Sequence, residues 1–296
     1  MARALEAVPN FSEGRSADTI DALRAVLAAH ASVLDVHVDP DHNRSVFTLA
    51  GDSEGLVEAL VAGVACARER IDLRRQEGVH PRVGAADVVP IVAVWPEQMD
   101  GAKGTAVVLA RRIGDEVGLP VFLYGELTPG VRPAVLRRGG PTELQRRIDL
   151  GELAPDFGPT RLDPAAGCVL VGARRPLIAF NVNLETDDLA VAQAIAAVVR
   201  ESGGGFPGVR SLGFPLASRG LVQVSMNIED WRVAPLSEIV ARIEEEAATR
   251  GVGVAGSELV GLMPAGAAAP GGRALKLEEL DESRLLERRL LETTRR

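Results

Sequence analysis

Leu221-Val222-Gln223-Val224-Ser225-Met226-Asn227-Ile228 alternates without a break: Val222, Val224, Met226 and Ile228 fall on one side, Gln223, Ser225 and Asn227 on the other. Successive side chains of an extended chain point to opposite faces, so this stretch reads as a half-buried strand with one polar face. Working outward, Val209 to Phe214 precedes it as another extended run. Leu236, Ile239, Val240, Ile243 and Ala247 follow with the spacing of one helix face. Upstream, Leu177 to Val182 reads as a strand, Thr186 or Asp187 caps a helix carrying Leu189, Ile195, Val198 and Val199, and Gly203-Gly204-Gly205 turns the chain. Ser257 to Met263 is the last apolar piece. The order is β-α-β-β-α-β.

The first half repeats that order. Leu5 to Pro9 is a strand, and Ser16 caps a helix that shows Ile20, Leu23, Val26 and Leu27 on one face. Val33 to Val38 alternates, Asp39-Pro40-Asp41-His42-Asn43 is a turn, and Ser45 to Ala50 is a further strand. Ser53 opens a helix with Leu56, Leu60 and Val64, and Ala86 to Val94 is an apolar strand. The fold expected is therefore of the α/β (α+β) class: two similar βαββαβ ferredoxin-like subdomains, with a groove or tunnel between their open sheet faces. Residues 98–175 extend the first one with a helix (Thr105 to Val117), a strand (Val121 to Tyr124), a short helical stretch and a long loop. The expected boundaries are 1–175, 176–264 and 265–296. In the last segment, Ala265 to Gly272 reads as a flexible linker and Leu275 to Glu292 as a charged amphipathic helix, packed on the body or on a partner.

The chain of 296 residues is 46% hydrophobic, enough for a sizeable core. The net charge of −8 argues against a nucleic-acid partner, which needs a basic face. Lys103 and Lys276 are the only lysines, so arginine supplies nearly all the positive charge, and a few arginines in a cleft suffice for an anionic ligand. Cys66 and Cys168 match no metal or disulfide spacing and read as buried free thiols. No signal-peptide pattern opens the chain, and no apolar run reaches the ~20 residues that span a bilayer. A cytoplasmic protein without a membrane partner is expected.

Of the four histidines, His30 ends a helix, His37 lies on a polar strand face and His42 sits in the acidic turn. His80 stands in Gly78-Val79-His80-Pro81-Arg82-Val83-Gly84, between a long helix and a buried strand. Pro81 holds it extended and the glycines permit sharp bends, which suits a proton-transfer group, although a loop histidine is more often structural or incidental. Asp39-Pro40-Asp41-His42-Asn43-Arg44 gathers carboxylates, an imidazole and a guanidinium, but at neither zinc nor calcium spacing; a solvated turn is the alternative, and no metal is expected. Ala154 to Gly167 is rich in Pro and Gly yet interleaved with apolar residues, and reads as a ligand loop or an interdomain connector.

Taken in order, Val8-Pro9-Asn10-Phe11-Ser12-Glu13-Gly14, Asn43-Arg44, His80-Pro81-Arg82-Val83-Gly84-Ala85-Ala86-Asp87-Val88, Val121 to Glu126, Ala154 to Pro159, Gly172-Ala173-Arg174, Ile178 to Leu184, Gln223-Val224-Ser225 and Gly256 to Leu262 resemble the formiminotransferase family over nearly the whole chain. The resemblance implies two subdomains with folate in a tunnel between them and tetrahydrofolate as co-substrate. It puts the catalytic histidine at His80 and the folate-contacting loop on Gly158-Pro159-Thr160-Arg161-Leu162-Asp163-Pro164-Ala165-Ala166-Gly167. The activity implied is transfer of the formimino group from N-formimino-L-glutamate to N5 of tetrahydrofolate, giving 5-formiminotetrahydrofolate and L-glutamate. Both substrates carry carboxylates, for which Arg44, Arg82 and Arg174 are candidates, with Asp39 orienting an imidazole or the amidine. A homodimer or other homo-oligomer is expected. Glutamate formyltransfer on the same fold, or folate binding without catalysis, are the competing readings.

Overall fold

The computed structural model describes residues 4–269 and 271–293. The chain divides into two compact units, Met1–Arg175 and Pro176–Arg296.

The first unit opens with β1 (Leu5–Ala7) and β2 (Asn10–Phe11), then α1 (Ala17–Ala28), β3 (Ser32–Asp39), β4 (Arg44–Gly51), α2 (Ser53–Arg70) and β5 (Ala86–Val92). β1 and β2 are two pieces of one path between β4 and β5, because Pro9 between them has no N–H to give the ladder. Pairing nevertheless continues through the break: Val8 N–H donates to Pro90 O at 3.2 Å and Phe47 N–H to Pro9 O at 3.0 Å. With β3 on the outer side of β4, the spatial order is β5, β1/β2, β4, β3, all antiparallel. Ser16 caps α1 by accepting from Thr19 N–H, and Asp52 caps α2. Leu23, Leu27, Leu56 and Leu60 pack with Phe11 and Phe47, whose rings meet edge to face at 5.6 Å.

An extension follows: α3 (Met99–Arg112), β6 (Val121–Gly125), α4 (Pro133–Arg137), α5 (Gly140–Asp149) and β7 (Val169–Arg174). β7 slots in parallel to both β5 and β6, widening the sheet to seven strands. The row Val88–Leu170–Phe122 on one face of these strands joins Leu136 of α4 and Leu144 of α5 in a smaller core of its own, which includes Cys168. Cys66 belongs to the main core, and both cysteines are buried free thiols.

The second unit runs β8 (Ile178–Leu184), α6 (Leu189–Val199), β9 (Val209–Leu216), β10 (Leu221–Ile228), α7 (Leu236–Ala248) and β11 (Val254–Val260). Its strand order is β11-β8-β10-β9, which is the order of the first unit before its extension. The two units therefore share one βαββαβ topology. The helix cap of α6 is Asp188, two residues past Thr186 and one past Asp187, the positions expected. The alternation in β10 works as its pattern requires: Val222, Val224, Met226 and Ile228 are buried with Ile195, Val199, Ile239 and Ile243. On the opposite face Gln223 stands directly across from Asn183 and donates to its Oδ1 at 2.9 Å, with both side chains buried.

The C-terminal segment corrects two expectations. The helix expected over Leu275 to Glu292 is confined to α9 (Leu286–Thr293), after a short α8 (Gly271–Ala274) and a 3-10 turn at Glu282–Arg284. Lys276 takes a left-handed φ of 56°, which stops a helix, and its carbonyl accepts from Ser257 N–H at 2.8 Å. The leucines are instead set by attachment to the second unit: Leu275 and Leu286 are buried, and Leu277 and Leu285 bridge to Ser257 and Met263. The Ala/Gly stretch from Ala265 is likewise packed rather than loose. Ala267 is buried, and Gly266 lies against the Trp231 ring, where an added Cβ would come within 2.3 Å and force the ring to shift. Pro270 lies outside the described residues. Among the described residues no helix is long and apolar enough to cross a membrane.

Candidate active site

Three segments of the first unit meet at His80: the β2 end Asn10 to Gly14, the turn from Asp39 to Arg44, and the loop from Gln76 to Ala85. Ser12 ties the first to the third, its hydroxyl donating to Gly84 O at 2.7 Å and its amide to Ala85 O at 2.8 Å. Asn43 ties all three. Its Oδ1 accepts from Gly14 N–H at 2.8 Å, and its Nδ2 donates to Glu77 O at 3.0 Å and to the Gln76 side chain. Gln76 in turn donates to Glu13. Burial works against the Glu13 carboxylate, but the amides of Ser16 and Arg15 and the Gln76 side chain outweigh it and keep the carboxyl below its usual range.

Arg82 clamps the loops together. Its Nη2 donates to His42 O at 2.7 Å, its Nη1 to Asn43 O at 3.1 Å and its Nε to His80 O at 3.3 Å. A Cβ on Gly78 would sit 2.4 Å from both His42 O and Arg82 Nη2, so glycine is what lets this arginine reach its carbonyls. Arg82 is thus a brace whose donors are directed at backbone.

Arg44, the first residue of β4, points Nη1 at His80 Nε2 over 3.0 Å. A guanidinium has only donors, so Nε2 is the acceptor and the ring proton sits on Nδ1. Burial, then Arg137, drive the Arg44 guanidinium down to about 10, partly opposed by Asp39 and Asp87; it stays charged at neutral pH. His80 as a residue is half-buried. Burial of the ring, then Arg44, Arg137, His42 and Arg82, push its imidazole well below 6.5, so it is neutral and basic in function at neutral pH.

This shift has a consequence for stability. Folded His80 binds its proton less readily than the unfolded chain does, so below 6.5 the unfolded state holds more protons. The contribution is fully present above 6.5 and is lost as the pH falls from there towards the folded value. Urea midpoints taken above and below 6.5 are expected to show this acid-side loss, and His80→Gln to flatten it.

Asp39 serves the turn. Its Oδ1 accepts from His42 N–H at 2.8 Å and its Oδ2 lies 3.8 Å from His42 Nε2. The imidazole it addresses is therefore that of His42, which is fully buried and lies 6.0 Å from the His80 ring. His42 is a member of the site that its place in an acidic turn did not single out. Asp87 and Arg137 also escaped the sequence reading. They form a buried ion pair, and Asp87 Oδ1 accepts from Val83 N–H at 2.7 Å, three residues after His80. Arg174 stands apart: it lies with Tyr124 and Glu6 at the end of β7, and its Nη1 donates to Arg175 O at 3.0 Å.

The loop Gly158–Gly167 splits in two. Gly158 to Arg161 is exposed. Asp163 to Gly167 is a tight turn: Asp163 Oδ1 accepts from Ala165 and Ala166 N–H, both at 2.9 Å, and Gly167 pairs with Gly84. Ala85 N–H donates to Ala166 O at 2.8 Å, so the anchored end of this loop lies against the backbone that carries His80. Asn10, Phe11, Ser12, Arg44, His80, Arg82 and Asp87 line a crevice that, as it stands, is too narrow for a water molecule, so a ligand group enters only where these side chains give way.

The comparisons agree with the order of these segments. The family model "Formiminotransferase domain, N-terminal subdomain" matches residues 4–174, and "Formiminotransferase domain" matches 179–275. Glutamate formimidoyltransferase of Thermoplasma acidophilum is 39% identical over 296 residues, covering 97% of each chain. The enzyme of the same name from Streptococcus pyogenes serotype M1 is 39% identical over 98% of this chain and 100% of its own. Formimidoyltransferase-cyclodeaminase of Sus scrofa is 39% identical over 89% of this chain but only 51% of its own length. The residues that converge on His80 lie inside the first match, the shared βαββαβ units account for both, and full-length relatives align from end to end: the chain belongs to the formiminotransferase family.

Proposed function

We propose that this protein is a glutamate formimidoyltransferase that moves the formimino group of N-formimino-L-glutamate to N5 of tetrahydrofolate, with His80 as the acid–base residue. The observation that carries the reading is a neutral imidazole on a half-buried residue, held by Arg44 and set among guanidinium groups in a chain of this family. Tetrahydrofolate N5 attacks the amidine carbon, and the new C–N bond makes a tetrahedral centre. The N5 proton passes to the imidazole, and from there to the glutamate nitrogen as its C–N bond breaks. An imidazolium beside Arg44, Arg82 and Arg137 is disfavoured, so the proton is passed on readily to the more basic departing amine. Arg44, which already reaches Nε2, is the nearest candidate for a substrate carboxylate; the exposed end of the Gly158–Gly167 loop is assigned to folate.

The test is a spectrophotometric assay with tetrahydrofolate and either N-formiminoglutamate or N-formylglutamate, followed by acid conversion to the methenyl form. Signal with the formimino donor is expected. Signal with the formyl donor alone would move the specificity, and tight folate binding with no signal from either would leave a binding protein.

A further inference from the structure

The two units share one topology, yet only the first carries the extension from α3 to β7, and that extension reaches the site. Arg137, the last residue of α4, has a side chain 14% exposed and is ion-paired with Asp87, itself 6% exposed. Asp87 is on β5 and uses its other oxygen to hold Val83 N–H, which fixes the loop on the C-terminal side of His80. We propose that Arg137 is a positioning residue of the acid–base site: it neutralises the carboxylate that tethers the His80 loop, and it brings a fixed positive charge to the imidazole from an element outside the three segments that build the site. The inference deepens the assignment of His80 as the acid–base group and rests on it.

The chemistry follows from the charges around the ring. The groups whose charge bears on His80 are Arg44 from β4, Arg82 from its own loop, His42 from the acidic turn and Arg137 from α4, and Asp87 on β5 and Asp39 on β3 are the carboxylates that bear on Arg44. Arg137 pairs with the carboxylate that holds Val83 N–H, three residues from His80, and its charge works against protonation of the ring. The cation therefore favours the neutral base, while the ion pair lets that cation be buried beside a loop that must not move. A purely structural strut would set the loop and leave the titration of the ring alone.

That difference is the test. The His80 imidazole signal, identified by its loss in His80→Ala, is followed by NMR as the pH is lowered in the substrate-free protein. Arg137→Gln is expected to move the titration, and the acid limb of kcat/KM, upward by about one pH unit, the size of one nearby like charge removed. Arg137→Lys keeps the charge and is expected to titrate like the wild type. Because Arg137→Gln leaves a buried carboxylate unpaired, the double variant Asp87→Asn/Arg137→Gln is measured beside it. The amide oxygen that Asp87→Asn introduces would still accept from Val83 N–H, and the shift should keep its upward direction. A folded variant without Arg137 whose imidazole titrates as in the wild type would overturn the proposal. The titration needs no substrate, so it decides this point even if the transfer assay fails.

Discussion

His80→Ala is expected to lower turnover about 10²–10⁴-fold, the usual worth of a positioned acid–base group, while tetrahydrofolate affinity stays close to that of the wild type. The argument is geometric first. Nε2 is an acceptor in the resting site, because Arg44 Nη1, 3.0 Å away, can only donate. The lone pair a base needs is therefore on Nε2, held by Arg44 in the substrate-free site and released to the incoming proton when Arg44 turns to a substrate carboxylate. Removing the ring leaves Arg44, Arg82 and the Asp163 turn in place, so binding and alignment of the substrates are expected to survive and to supply the residual rate. The same variant should lose the acid limb of the rate profile that His80 imposes below 6.5. Steady-state kinetics with a parallel folate titration checks both halves. Equal loss of affinity and turnover would mean that His80 holds the folate rather than moves a proton.

What could be read from the sequence divides along physical lines. Alternation such as Val222 to Ile228 is a local consequence of one buried face, so both βαββαβ orders were legible, and the strand order follows from packing two helices on one side of each sheet. Pro81 and two glycines marked the His80 loop as constrained, but only the resemblance to the family singled out its histidine for proton transfer. The destination of Arg82 was not: its acceptors are His42 O and Asn43 O, about forty positions away, and nothing local distinguishes an arginine that braces backbone from one that awaits a carboxylate. Arg174 looked like a site residue by its motif, yet its neighbours are Tyr124 and Glu6. Arg137 gave no signal, since it ends a five-residue helix in an arginine-rich stretch and matters only through Asp87 and the ring of His80. In the tail, leucine spacing imitated a helix because the leucines answer to the surface of the second unit, whose contacts at Ser257 and Met263 bend the chain at Lys276.

Asp87→Ala is expected to destabilise the first unit by about 3–5 kcal/mol, more than Asp87→Asn, because it breaks a buried pair from one side. The Arg137 guanidinium would be left with its charge beside the small core of Leu136, Tyr124 and Leu170 and without the carboxylate it pairs with, and Val83 N–H would lose the acceptor it reaches at 2.7 Å. Arginine does not shed its proton to escape, so the desolvation cost falls on the folded state in full. Asp87→Asn keeps an oxygen for Val83 N–H and a polar neighbour for Arg137, and so loses only the ionic part. Urea unfolding followed by circular dichroism would rank the wild type, Asp87→Asn and Asp87→Ala in that order. The ranking matters for the site as well as for the fold. If Asp87→Ala cost no more than a typical surface change, the Val83 tether would not be what fixes the His80 loop, and the loop would have to be held by Arg82 and Ser12 alone.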